Sequence, residues 1–147
     1  MGIVEEAIVH SILVRASPEE AYDAITTAEA LDSWYTEGAE VEARQGGHIK
    51  FRWRNWGADK VSSDDGGPVV EADRPKRFVF RWFPAGDKYS TTVEMNFETA
   101  EEGTIIRLME YGYRDDPRSR RAMLACAVGW GEALALLKFH VEHGLKY

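Results

Sequence analysis

Residues 104–143, TIIRLMEYGYRDDPRSRRAMLACAVGWGEALALLKFHVEH, contain the change of hydrophobic period that decides the fold. Over Thr104 to Tyr113, apolar residues alternate with polar ones, and this period of two predicts a β-strand. Asp115-Asp116-Pro117 follows, and acids before a proline are typical of a helix start. Apolar residues then recur at steps of three and four, which predicts a long amphipathic helix of about 25 residues that ends near Gly144.

The period of two also recurs upstream, in segments separated by turn residues. These segments predict strands over Ala7 to Val14, His48 to Asn55, Pro68 to Asp73 (a weaker pattern), Arg77 to Phe83, and Lys88 to Thr99. The polar segment Gly57 to Gly67 predicts a hairpin-like loop, and Pro84 to Asp87 predicts a turn.

Two short helices are predicted between the first two strands. Ser17 is the expected N-cap of the first, with Pro18 at its first position and Glu20 completing a capping box. The second spans Ala28 to Trp34. The order of elements predicts a single α+β domain over residues 1–147, in which a curved antiparallel sheet wraps around the C-terminal helix. Because one helix cannot cover a strongly twisted sheet completely, we expect a cavity between them.

Composition excludes several functional classes. The chain has 147 residues, of which 44% are hydrophobic and 29% charged, as in ordinary globular domains. Its net charge of −7 argues against nucleic-acid binding, which needs a basic face. The single cysteine, Cys126, excludes an internal disulfide and a CxxC metal site. The sequence contains neither a P-loop nor a GxGxxG motif, so we predict no cofactor. His140 and His143 are three residues apart but have no third ligand at motif spacing, so we predict no metal.

The sequence also gives no indication of a membrane span or a targeting signal. The longest uncharged run, Ala122 to Gly131, is too short to cross a bilayer. The first ten residues, MGIVEEAIVH, contain two glutamates where a signal peptide needs positive charge. We therefore expect a cytoplasmic protein.

Several local motifs occur in an order that resembles a known superfamily. They are ASPEEAY (16–22), ALDSWY (30–35), QGGHI (45–49), VEADRPKRF (70–78), EGT (102–104) and GWG (129–131), the last followed by Leu134 and Leu137. In this order the chain resembles the START-like, or SRPBCC, superfamily of helix-grip domains, and within it the branch named after the activator of heat-shock protein 90 ATPase. The resemblance implies a helix-grip fold with a cavity whose occupant differs between members.

Aromatic side chains on the inward faces are the leading candidates for ligand contacts. The predicted ligand-binding residues are Trp34, Tyr35, Phe51, Trp53, Phe80, Trp82, Met95, Leu108, Glu110, Trp130 and Leu134. Alternation alone predicts equally that these side chains simply fill the core.

Glu110 is the most informative residue in this set. It follows Ile106 and Leu108 at period two, so it should point inward, where desolvation would raise its pKa. It could anchor a ligand hydroxyl or act as a general acid or base. The alternative is a salt bridge at the cavity mouth, with Arg114 or Arg121.

Three functions are consistent with these features. The first is binding of a hydrophobic small molecule such as a lipid, sterol or polyketide. The second is a stress-response interaction with a chaperone, which the resemblance implies. The third is an enzyme of the cyclase, dehydratase or hydrolase type, with Glu110 and Tyr35 or Tyr111 as proton-transfer partners. No convergent polar pair is evident, which favours a binding protein over an enzyme, and no catalytic residue is assigned.

Overall fold

A computed structural model describes residues 2–86 and 88–147, which form one seven-stranded antiparallel sheet and three α-helices. In chain order the elements are β1 (Ile8–Val14), α1 (Pro18–Thr26), α2 (Ala28–Trp34), β2 (Glu40–Val41), β3 (His48–Trp56), β4 (Val61–Asp73), β5 (Arg77–Trp82), β6 (Thr91–Ala100), β7 (Gly103–Tyr111) and α3 (Pro117–His143). The strand order across the sheet is β1-β7-β6-β5-β4-β3-β2. The predicted α+β helix-grip fold is confirmed.

Alternation along the strands builds one buried face of the sheet. In β6, Val93, Met95 and Phe97 are buried, and their opposite neighbours in β7 include Leu108 and Ile106. The helix α3 lies on this side, because Trp130, Leu134 and Leu137 belong to the same buried cluster. The core therefore lies between one face of the sheet and the apolar face of α3. This is the arrangement expected when a strand pattern of period two and a helical pattern each bury one side.

The helix ends follow their sequence signals. Ser17 caps α1 by accepting a hydrogen bond from the Glu20 N–H at 3.1 Å. The side chain of Asp116 caps α3 in the same way, and Gly144 ends it in the left-handed conformation that glycine adopts without strain.

The predicted loop over Gly57 to Gly67 is wrong in its second half. β4 begins at Val61, and its first part pairs with β3, where Asp65 lies opposite Phe51. Glycine and aspartate are poor strand formers, so the composition of this segment did not predict a strand. Gly66 and Gly67 are needed here because the neighbouring backbone lies too close for a side chain. A Cβ on Gly66 would lie 2.0 Å from the Ile49 carbonyl oxygen, and one on Gly67 would lie 2.2 Å from that of Arg81.

Smaller differences concern the ends of elements. β6 begins at Thr91 rather than Lys88, β7 ends at Tyr111, and the two-residue strand β2 was not predicted. Pro84–Gly86 forms a 3-10 turn, while Asp87 of the predicted turn lies outside the described residues.

α3 is longer and more apolar than the uncharged run alone indicates. By length and composition Pro117–His143 could cross a membrane, a test that core helices of soluble proteins also meet. In this fold the helix contributes Trp130, Leu134 and Leu137 to the core.

Candidate functional site

A cavity of about 390 Å³ lies between the first half of α3, the end of α2 and the strands β3, β4 and β5. We call it the aromatic cavity, and it is lined by Tyr35, Phe51, Trp53, Val61, Asp65, Trp82, Ala125, Cys126, Gly129 and Trp130. Val61 and Ala125 are exposed, so the cavity meets solvent between the start of β4 and α3.

Strand β3 provides two parallel aromatic rings on the sheet side. Phe51 and Trp53 are two residues apart on the inward face, and their rings are nearly parallel, with centroids 5.8 Å apart and planes at 5°. Trp82 of β5 meets Phe51 edge-on at 5.8 Å and 72°. Trp130 of α3 meets Trp82 at 5.2 Å and 62°. Each ring is fixed by another, so the walls are rigid and apolar.

Tyr35 closes the side nearest α2. It is the C-cap of that helix, where its backbone N–H donates to the Leu31 carbonyl oxygen at 2.8 Å. Its ring stacks on Trp34 at 4.9 Å and meets Trp53 edge-on at 5.4 Å. Desolvation raises the pKa of its hydroxyl, and the nearby charge of Glu132 acts in the same direction. The hydroxyl is therefore a neutral donor or acceptor at neutral pH.

The helix side of the aromatic cavity is lined by small residues. Ala125, Cys126 and Gly129 lie on one face of α3, because residues three and four apart are neighbours on a helix. A Cβ on Gly129 would meet no heavy atom within 4 Å beyond its own stretch of helix. The cavity exists because these small side chains face large rings across the gap.

Asp65 is the charged residue of the lining. Its position opposite Phe51 in the β3–β4 ladder puts its side chain on the inward face. Within residues 2–86 and 88–147, its carboxylate takes part in no hydrogen bond or ion pair. Burial raises its pKa, and the neighbouring charge of Asp64 adds to the effect. An unpartnered carboxylate therefore faces an apolar space.

Trp53 also has an unpartnered polar atom. Its indole Nε1 is the one buried side-chain nitrogen or oxygen in the described part of the chain without a hydrogen-bond partner. A buried N–H group without a hydrogen-bond partner lowers the stability of a protein by about 1–3 kcal/mol.

Glu110 points inward as predicted, but it lies behind the cavity wall rather than in it. The residue is 0% exposed. Its Oε1 accepts from the Trp130 indole at 2.8 Å, and its Oε2 accepts from the Thr91 and Tyr113 hydroxyls at 2.6 and 2.8 Å. Desolvation raises its pKa although these three hydrogen bonds oppose the shift.

These contacts identify the local partners of Glu110. The alternative of a salt bridge with Arg114 or Arg121 is wrong, because three uncharged donors hold the carboxylate. Neither Tyr35 nor Tyr111 is among its partners, and Tyr111 is 39% exposed. The carboxylate thus fixes the orientation of Trp130 at the cavity wall.

The structure divides the other predicted site residues into two groups. Tyr35, Phe51, Trp53, Trp82 and Trp130 line the aromatic cavity. The remaining apolar ones lie deeper: Trp34, Met95, Leu108 and Leu134 surround a crevice of about 20 Å³, and Phe80 is fully buried against the rings of Phe51 and Trp130.

Sequence reasoning missed half of the lining: Val61, Asp65, Ala125, Cys126 and Gly129. The helix residues could have been found, since their spacing places three small side chains beside Trp130. Val61 and Asp65 could not, because both lie in the segment predicted as a loop. Among residues 2–86 and 88–147, no group of three or more His, Cys, Asp or Glu side chains is placed to hold a metal ion.

Comparisons with known proteins agree with the fold. The family model described as "Activator of Hsp90 ATPase homolog 1-like protein" matches residues 15–142. No curated protein matches the chain.

Several solved structures are similar. The Aha1 dimer from Colwellia psychrerythraea is 26% identical, with a TM-score of 0.74 and coverage of 95% of this chain and 98% of that one. Protein MLL2253 from Mesorhizobium loti is 18% identical, with a TM-score of 0.76 and coverage of 93% and 97%. DynU16, a putative protein of the dynemicin biosynthetic locus, is 15% identical, with a TM-score of 0.80. The match covers 98% of this chain and 51% of DynU16.

Proposed function

The chain belongs to the family of activator of Hsp90 ATPase homolog 1-like proteins, and from that premise we propose that it binds a hydrophobic small molecule in the aromatic cavity. One observation carries the proposal: an apolar, ring-walled space of about 390 Å³ that meets solvent. Pockets for small molecules span roughly 300–1,000 Å³ and have apolar walls with few polar groups.

The walls suit a flat ligand. The rings of Phe51 and Trp53 are parallel, with centroids 5.8 Å apart, and the rings of Trp82 and Tyr35 stand at steep angles to Phe51. Because each ring is held by another, little side-chain entropy is lost when a ligand enters. Lipids, sterols and aromatic polyketides are the classes to test.

Thermal unfolding against a panel of these compounds tests the proposal. A ligand that binds only the folded protein raises its stability by about 2.7 kcal/mol at one hundred times Kd. We expect a concentration-dependent rise in Tm that is lost in Trp82→Ala. Phe139→Ala is the matched control, because Phe139 is an exposed aromatic residue of α3 outside the cavity lining. Equal responses of both variants would place binding elsewhere.

Cys126 provides an independent test of the site. It is the only cysteine of the chain, and its half-buried thiol lines the aromatic cavity. Burial raises its pKa, so alkylation should be slow at neutral pH. We expect a bound ligand to slow it further. Unchanged alkylation at saturating ligand would contradict binding in this cavity.

A chaperone interaction is the second candidate, and the outer side of α3 favours it. Leu124 and Val128 are 69% and 73% exposed, one helical turn apart. The test is the ATPase rate of purified Hsp90 with and without this protein. We expect Val128→Lys to abolish any stimulation. Val9→Lys, at an exposed valine of β1, should not.

A further inference from the structure

The aromatic cavity combines ring walls with a single type of charge. Asp65 is its charged lining residue, and no lysine, arginine or histidine is found in the lining drawn from residues 2–86 and 88–147. The effect of Glu132 on the Tyr35 hydroxyl shows that a second carboxylate acts on the same region. The charge carried by the cavity lining is therefore negative.

Asp65 differs from its neighbours in having no cation to pair with. Asp64, next to it but on the outer face, accepts from the Arg54 guanidinium at 2.8 Å, and the Lys50 ammonium is 3.8 Å from it. Asp65 has neither kind of contact. Asp65 is half-buried, so its carboxylate is partly desolvated without a partner, and a bound cation would supply the missing charge.

Five aromatic rings share the cavity lining with Asp65: those of Tyr35, Phe51, Trp53, Trp82 and Trp130. The rings of Phe51 and Trp53 are parallel, and the Tyr35 ring stands at 69° to Phe51 and 74° to Trp53. The Trp82 ring stands at 72° to Phe51 on another side. Aromatic faces attract ammonium groups through their quadrupoles, most strongly where water is excluded.

We propose that the ligand of this cavity is an organic cation: a flat apolar body that carries an ammonium group directed at Asp65. The inference rests on the proposed function, since it names the class of ligand for the same cavity. The rings bind the apolar body and the ammonium group together, and the carboxylate fixes which end of the ligand enters.

Two probes of equal shape separate charge from hydrophobicity. They are 2-(naphthalen-2-yl)ethylammonium and the neutral 2-(naphthalen-2-yl)ethanol, titrated calorimetrically at physiological salt to screen the general negative charge of the protein. We expect wild type to bind the ammonium about tenfold more tightly than the alcohol.

Asp65→Asn and Asp64→Asn are the matched variants, because each removes one negative charge from adjacent positions that face opposite sides of β4. Asp65→Asn should weaken ammonium binding about tenfold and leave the alcohol within about twofold. Asp64→Asn should change neither affinity. Circular dichroism and urea unfolding establish that both variants are folded.

The outcomes distinguish the two proposals. Equal binding of ammonium and alcohol would overturn the cation inference and leave the hydrophobic site intact. Equal losses in Asp64→Asn and Asp65→Asn would overturn it too, because the effect would then be net charge rather than a contact. If neither probe binds, the cation inference and the proposed function both fail.

Discussion

Replacing Gly129 by leucine should stabilise the protein and abolish ligand binding at the same time. Gly129 lies inside α3, where glycine costs about 1 kcal/mol relative to good helix formers. A Cβ at this position would meet no heavy atom within 4 Å beyond its own stretch of helix, and Gly129 lines the aromatic cavity, so we expect a larger side chain to extend into that space. Most core mutations reduce binding and stability together, and this one should separate them.

The magnitude has two parts. Removing the glycine gains somewhat less than 1 kcal/mol from helix propensity. Full burial of a leucine side chain is worth about 1.5–3 kcal/mol, and the open cavity provides part of that. We therefore expect the free energy of unfolding to rise by about 1–2 kcal/mol, or Tm by about 3–6 °C for a domain of this size.

Urea unfolding followed by circular dichroism measures the first effect, and calorimetric titration with 2-(naphthalen-2-yl)ethanol measures the second. Gly129→Ala is the matched control: it gains the helix propensity but adds a single methyl group, so it should keep most of the binding. If Gly129→Leu bound the alcohol as wild type does, the ligand would not occupy this cavity. A less stable Gly129→Leu protein would show that the space beside α3 is already filled.

Further predictions concern the buried carboxylate and one surface ion pair. Glu110→Leu should lower the free energy of unfolding by on the order of 3 kcal/mol in urea titrations, because three donors lose their acceptor. Glu110→Gln keeps an acceptor oxygen, so it should lower the free energy of unfolding by less. Burial raises the pKa of Glu110 above 4.5, so wild type should lose stability relative to Glu110→Gln as pH rises through that pKa; parallel profiles would contradict this. The hydrogen bonds from Arg74 lower the pKa of Asp23 below 3.8, so the wild-type protein should lose stability relative to Asp23→Asn as pH falls through that lowered value. If the difference in unfolding free energy between the two proteins did not change with pH, the ion pair would contribute nothing to stability.

The fold was largely predictable because most elements have an unambiguous hydrophobic period. β3 alternates strictly, and α3 combines acids before a proline, apolar residues at helical steps and a terminal glycine. β4 was only half predicted, because Gly66 and Gly67 serve close approaches to β3 and β5 that a single sequence does not display.

The aromatic part of the site was predictable, whereas the part that β4 contributes was not. Alternation places Phe51, Trp53 and Trp82 on the inward face, but the cavity depends on the difference in size between those rings and the small residues of α3. The inward position of Asp65 follows only from its pairing with Phe51 in the sheet. A residue assigned to a loop has no defined face, so the sequence could not predict this position.

The central claim is that an apolar ligand occupies the aromatic cavity, and the indole N–H resonances of the five tryptophans test it most directly. In a nitrogen-15 NMR titration with 2-(naphthalen-2-yl)ethanol, we predict large shifts for Trp53, Trp82 and Trp130, which line the cavity. The resonance of Trp34, whose indole donates to the Ala24 carbonyl oxygen in the core, should move least. Shifts confined to Trp34, or no shifts at all at saturating probe, would contradict the account.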